Sequence, residues 1–158
     1  NLDTLYKGSP HKEEVYIYRG PEGWKNYMMD MLRLSKNAYF IGAKGGWLDQ
    51  RIKYFFPQFI KEAKKRKIEF YHLFDYEVKE QYPQILRYVG KHFKFLPKGY
   101  STKAAIDIFG DHVNIVSGIK LGGLFEEFSI TVIVNPFIAE AFRVWFQFMW
   151  DMCPKYKK

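Results

Sequence analysis

The stretch Ile106-Asp-Ile-Phe-Gly-Asp-His-Val-Asn-Ile-Val116 decides the fold. Two β-prone runs, Ala104 to Phe109 and Val113 to Ser117, flank Gly110-Asp111, and Gly-Asp favours the tight turn of a hairpin. These strands are therefore antiparallel. Upstream the pattern is different. Val15-Tyr-Ile-Tyr18, Ala38-Tyr-Phe-Ile-Gly42 and Ile68-Glu-Phe-Tyr-His-Leu-Phe74 read as strands, and each is followed by a helical stretch. Strand and helix in alternation give parallel strands joined by crossovers. A hairpin appended to them gives an α/β fold with a mixed sheet.

The helices are carried by apolar spacing. Trp24, Tyr27, Met28, Met31, Leu32 and Leu34 recur at intervals of three and four after Pro21, which suits a first helical turn. A second helix is predicted from Trp47 to Lys67, divided by Pro57, and a third from Val78 to Lys91, delayed by Pro83. Phe93 to Leu96 and Phe128 to Val134 are further strands. Asn135-Pro136 then caps a final helix, with Asn as N-cap and Pro first inside. That helix is aromatic around much of its circumference, which predicts burial by the sheet and by a second chain. Residues 1–14, with Gly8-Ser9-Pro10, read as a linker, residues 15–153 as one domain and residues 154–158 as a basic tail.

The composition agrees with a single packed domain. The 158 residues are 47% hydrophobic and 20% aromatic, which excludes disorder. Cys153 is the only cysteine, so no disulfide scaffold or zinc set can be drawn, and a reducing, cytoplasmic setting is expected. No apolar run is long enough to span a bilayer, and the polar start carries no signal peptide. The chain lacks an initiator Met, so a piece of a longer protein is expected. Its net charge of +8 suggests nucleic acid or an acidic ligand. However, Lys61, Lys64, Lys65, Arg66 and Lys67 cluster at a predicted helix end, where cations complement the macrodipole. With Lys155, Lys157 and Lys158 they account for the whole excess.

Spacing offers little catalysis. Gly42-Ala-Lys-Gly-Gly46 lies between strand and helix but fits no phosphate-loop pattern. His11, His72, His92 and His112 have no metal-ligand spacing, His72 reading as a packed residue and His112 as an exposed one. Asp107 and Asp111 flank Gly110, and Asp111 is most simply the turn residue. Cys153 reads as inert. No cofactor or metal is called for.

The order of motifs has a family likeness. A strand ends in Arg19-Gly20 and leads into Gly23-Trp-Lys-Asn-Tyr27. The Leu96-Pro97 step, the hairpin and Ile133-Val-Asn-Pro-Phe-Ile-Ala139 with Phe142, Phe146 and Trp150 follow. Together they resemble the phospholipase-D-like domain of TrmB-type transcriptional regulators. The resemblance implies a phospholipase-D-like mixed sheet flanked by helices, a homodimer, a small-molecule effector such as a sugar, and DNA bound through a separate winged helix. Phospholipase D enzymes carry HxKxxxxD on the strand matching the hairpin. Here Ser101-Thr-Lys103 supplies no imidazole, so the resemblance implies the fold without hydrolysis. The sugar-binding members have a further β-rich segment with no counterpart in these residues, which opens the effector to other chemistries.

Ligands of open α/β sheets bind beyond the carboxyl ends of the strands. Arg19, Lys44, Trp47, Asp75 and Lys103 are predicted there and form the candidate ligand site. The alternative is a phosphodiesterase or nucleic-acid-binding module of the phospholipase D superfamily.

Overall fold

The computed structural model describes residues 13–156. The predicted linker therefore lies mostly outside the described residues, as do Lys157 and Lys158 of the tail. A single seven-stranded sheet runs through the molecule. Its strands are β1 (Glu14–Arg19), β2 (Ala38–Ala43), β3 (Phe70–Phe74), β4 (Phe93–Phe95), β5 (Ala104–Phe109), β6 (His112–Lys120) and β7 (Gly123–Val134), in the order β1-β7-β6-β5-β2-β3-β4. β2, β3 and β4 pair in parallel, whereas β2-β5, β5-β6, β6-β7 and β1-β7 are antiparallel. The α/β class with a mixed sheet is as the hairpin and the upstream alternation predict.

The helices are α1 (Gly20–Leu34), α2 (Phe56–Lys65), α3 (Tyr76–Gln81) and α4 (Pro136–Met152). α1 and α2 cover one face of the sheet, and α4 covers the other. Period-two alternation sends Phe40, His72, Ala105, Asp107 and Phe109 to the α1–α2 face. It sends Tyr39, Ile41, Leu73 and Ile108 to the α4 face. At the start of α1 the chain turns back on β1 so closely that a Cβ on Gly23 would lie 2.9 Å from the Tyr18 backbone. Only glycine fits there.

Two helix boundaries differ from the sequence expectation. α2 begins at Phe56 after two short 3₁₀ turns, so Pro57 opens the helix instead of dividing it. A residue without an N–H and with a fixed φ is at home in a first turn, where that N–H has no intrahelical partner. The third helix is reduced to α3 and a 3₁₀ segment over Pro83–Tyr88. The basic cluster does sit at the end of α2. Arg66 also has a structural task, donating from Nη1 to the Leu32 carbonyl at 2.7 Å.

His112 is buried, contrary to the expected exposure. Its ring stacks on Phe109 at 5.6 Å, and its Nδ1 lies 2.8 Å from Asp111 Oδ1. In the residues expected as a tail, Tyr156 packs against the rings of Phe93 and Phe95. α4 buries Ala139 and Phe146 on the sheet, while Trp145, Phe148 and Met152 are exposed on its outer side. No helix is long and apolar enough to cross a membrane among the described residues.

Candidate functional site

Two neighbouring features occupy the α1–α2 side and the adjoining strand ends. The first is an ion pair at the carboxyl end of the parallel strands. A bulge in β2 between Ile41 and Ala43 turns the chain so that Lys44 points inward. Lys44 Nζ lies 2.9 Å from Asp75 Oδ2 and donates to the carbonyls of Gly42 (2.7 Å) and Ala104 (2.9 Å). Its three hydrogens are thereby all engaged. Asp75 stands at the N-cap position of α3, yet its side chain does not cap the helix. That carboxylate instead holds Lys44 and accepts from Ser101 Oγ at 2.6 Å. Burial pushes the Asp75 carboxyl above its ordinary value, against the pull of Ser101 and Lys44. Ser101 itself is exposed, so the group ends in a hydroxyl open to solvent.

The second feature is a cavity of about 560 Å³ between α1, α2 and the sheet. Trp24, Met28, Met31, Phe40, Trp47 and Phe59 supply much of its apolar wall. Lys44, Asp107 and His72 reach it from the end of β2, from β5 and from β3. This size and lining fall in the range of small-molecule sites, about 300–1,000 Å³ and mostly apolar with a few polar groups. Burial shifts two of these groups, Asp107 and His72, toward their neutral forms. The Tyr27 hydroxyl donates to Asp107 Oδ2, and Asn114 Nδ2 donates to the Asp107 carbonyl at 3.3 Å. Burial raises the Asp107 carboxyl from 3.8 to about 7, opposed by Tyr27 and by the charge of Lys44. His72 lies between Phe40 (4.4 Å) and Phe74 (5.0 Å) in a ring stack, and burial lowers its pKa to about 3. It is therefore neutral at physiological pH.

Of the five residues predicted to form the site, the structure joins Lys44 and Asp75 directly. Trp47 shares the cavity lining with Lys44 and stacks on Phe56 at 5.3 Å. Lys103 lies on the same edge of the sheet, its ammonium 5.7 Å from the Phe125 ring centre. Arg19 closes β1, which stands four strand positions from β2, about 19 Å at ordinary strand spacing. It belongs to a different part of the sheet edge. The residues predicted for the site did not include Asp107, Tyr27, Trp24 or Ser101. One signal was present: Asp107 is an acid inside Ala105-Ile-Asp-Ile-Phe109, a strand whose neighbours on both faces are apolar. Among the described residues no group of three or more His, Cys, Asp or Glu could hold a metal ion.

No protein-family model matches the chain, and no curated protein matches it in sequence. Solved structures do match. Nuc from Salmonella typhimurium, a phospholipase D family member, aligns with a TM-score of 0.65 at 16% identity over 93% of this chain and 100% of its own. NucT from Helicobacter pylori gives 0.64 at 13% identity over 92% of this chain and 100% of its own. TrmBL2, an archaeal chromatin protein, gives 0.55 at 15% identity over 98% of this chain and 59% of its own. The chain has a phospholipase-D-like fold, and its likeness extends to a TrmB-type protein.

These matches overturn the expectation that the chain is not an enzyme. That expectation rested on the lack of catalytic spacing and on the missing imidazole near Ser101 to Lys103. The likeness to Nuc instead covers that protein's full length, so the architecture is that of an enzyme family.

Proposed function

We propose that this domain is the ligand-sensing part of a regulator that works with DNA. The effector site is the cavity between α1, α2 and the sheet. The outer face of α4 is a contact between two copies. The observation carrying this reading is the cavity itself, an aromatic chamber of about 560 Å³ with few polar groups. The regulatory side is supported by likeness to TrmBL2, described as a chromatin protein with its own mode of DNA binding. The contact with DNA is assigned in this reading to a further domain, since the chain spans 59% of TrmBL2.

A thermal-shift screen of sugars, phosphosugars, nucleotides and neutral aromatic compounds tests the reading. A ligand that binds only the folded state raises its melting temperature. The same compound should fail to shift Ala105→Leu, which adds bulk to the cavity wall. If no compound of any class raises the melting temperature of the unaltered chain, the reading is wrong.

A second reading is phosphodiester chemistry at the strand ends. The favouring observation is the exposed Ser101 hydroxyl, held 2.6 Å from Asp75 beside Lys44, in a chain that covers the whole of Nuc. Turnover of bis(p-nitrophenyl) phosphate that is lost in Ser101→Ala would establish it.

A further inference from the structure

The cavity extends along β3, from Glu69 and Phe70 past His72 to Trp47 and Lys44. Its mouth lies at the amino ends of the parallel strands, opposite the end that holds Asp75 and Ser101. Lys64 near the end of α2, Lys67 and Glu69 before β3, and Tyr88 and Gly90 before β4 line that mouth, and all five are exposed.

The interior is largely carbon. Phe40, Trp47, Phe56, Ile60 and Phe70 are half-buried and supply the surface that a ligand would touch. The polar residues of the lining are buried and already engaged. Lys44 donates to Gly42 and Ala104 and pairs with Asp75, and Tyr27 donates to Asp107. His72 lies within its ring stack. A charged group drawn inside would lose its water without a replacement partner, which is costly.

The mouth has the opposite character. In the basic run at the end of α2, Lys65 and Arg66 pair with Glu62, and Arg66 also holds the Leu32 carbonyl. The ammonium groups of Lys64 and Lys67 have no ion pair or hydrogen bond among the described residues. Glu69 beside them lies 3.5 Å from His92 Nε2. Two unpaired cations at the entrance of an apolar chamber match a ligand with a long apolar body and an anionic end that stays in water.

Resting on the ligand-sensing reading above, we propose that the cavity takes a single-chain alkyl carboxylate. Its chain lies along β3 among the aromatic rings, and its head meets Lys64 and Lys67 at the mouth. β3 has five residues, roughly 16 Å at ordinary strand rise, enough to lay out the chain of decanoate.

Octanoate, decanoate, decan-1-ol and decyltrimethylammonium, each below its micelle concentration, are titrated into the full chain by calorimetry and extend the screen above by one class. Decanoate should bind about tenfold more tightly than octanoate, because each buried methylene is worth about fourfold. It should exceed decan-1-ol by about three- to tenfold, the worth of two exposed ion pairs, and decyltrimethylammonium should bind most weakly. Lys64→Gln combined with Lys67→Asn should erase the preference for decanoate and leave decan-1-ol binding unchanged. Asparagine suits the left-handed backbone of Lys67 (φ 57°). With isotope-labelled decanoate, nuclear Overhauser contacts from the terminal methyl should reach the rings of Trp47 or Phe40. Those from the methylene beside the carboxylate should reach Lys64 or Lys67. Equal binding of decanoate and decan-1-ol overturns the proposal, as does a preference that the double variant retains. Methyl contacts to Trp145 or Phe148 overturn it too, since they place the chain on α4 across the sheet. If none of the four binds, the proposal falls. A hit in another class of the screen then keeps the ligand-sensing reading, and no hit in any class removes both.

Discussion

Lys44 and Asp75 leave adjacent parallel strands and meet in a buried ion pair, Nζ to Oδ2 2.9 Å, with about 1% of each side chain exposed. The pair fastens the end of β2 to the end of β3, and Ser101 adds the chain entering β5 through Asp75 Oδ2. It thus closes the strand-end side of the cavity, whose lining includes Lys44. An ion pair so buried gains strong attraction but forfeits the hydration of both ions, so its value lies largely in holding geometry.

Removing one partner exposes that balance. Lys44→Met leaves the Asp75 carboxylate buried with only Ser101 as partner, and Asp75→Asn leaves the ammonium with two carbonyls. Each should cost about 3–5 kcal/mol in urea unfolding, because an uncompensated charge remains inside. The double variant should cost clearly less than the sum of the two, since its second substitution removes the stranded charge. Additive losses would show that the pair is energetically unimportant.

The two buried titratable groups of the cavity pull stability in opposite directions with pH. Asp107 holds its proton up to about 7 in the fold against 3.8 ordinarily, so the native state binds the extra proton between those values. Its contribution therefore falls as pH rises across that range. His72 is depressed from 6.5 to about 3, so the unfolded state binds the extra proton and stability rises with pH over that window. In the intact protein the two slopes, each at most about 1.4 kcal/mol per pH unit, largely cancel between pH 4 and 6.5. Relative to the intact chain, Asp107→Asn should lose stability on acidification over this range, and His72→Phe should gain it. Denaturant midpoints measured from pH 4 to 8 check both signs.

How far the sequence reveals this arrangement depends on the range of the interaction. The hairpin across Gly110-Asp111 is local, and its strands and turn are where the residues place them. The cap at Asn135 is local too. Strand order is not. Arg19, Lys44 and Asp75 all follow β-prone runs, and nothing nearby in sequence tells that β1 pairs with β7 at the far edge while β2 and β3 are neighbours. The cavity is harder still to foresee. Trp24, Trp47, His72 and Asp107 are spread over 84 positions and converge through tertiary packing alone. Each has an ordinary core reading on its own, and His112 shows the reverse error, a residue beside a turn that is buried under Phe109 contacts.

The start of α4 offers a local test. Asn135 Oδ1 accepts from the N–H groups of Phe137 (2.9 Å) and Ile138 (3.1 Å), two of the four donors a helix leaves open at its beginning. Asn135→Ala should cost about 1 kcal/mol, and Asn135→Asp or Asn135→Ser should recover most of it. Equilibrium unfolding of the three variants measures this directly. No loss in the alanine variant would mean that tertiary packing alone holds the first turn.

The outer face of α4 carries the proposed contact between copies. Trp145 (54% exposed), Phe148 (66%) and Met152 (72%) follow at three- and four-residue spacing on the side away from the sheet. On a monomer these rings would be a hydrated apolar stripe, whereas a twofold pairing would lay each stripe against the other. Aromatic residues at the centre of such a face supply most of the binding energy. Sedimentation equilibrium should therefore give a dimer for the full chain. Phe148→Glu should give a monomer with unchanged circular dichroism, because the substituted side chain points to solvent in the single chain. Cavity-ligand binding should survive in that monomer, as the cavity lies across the sheet from α4. A monomeric unaltered chain, or a dimer that Phe148→Glu leaves intact, would remove α4 as the contact.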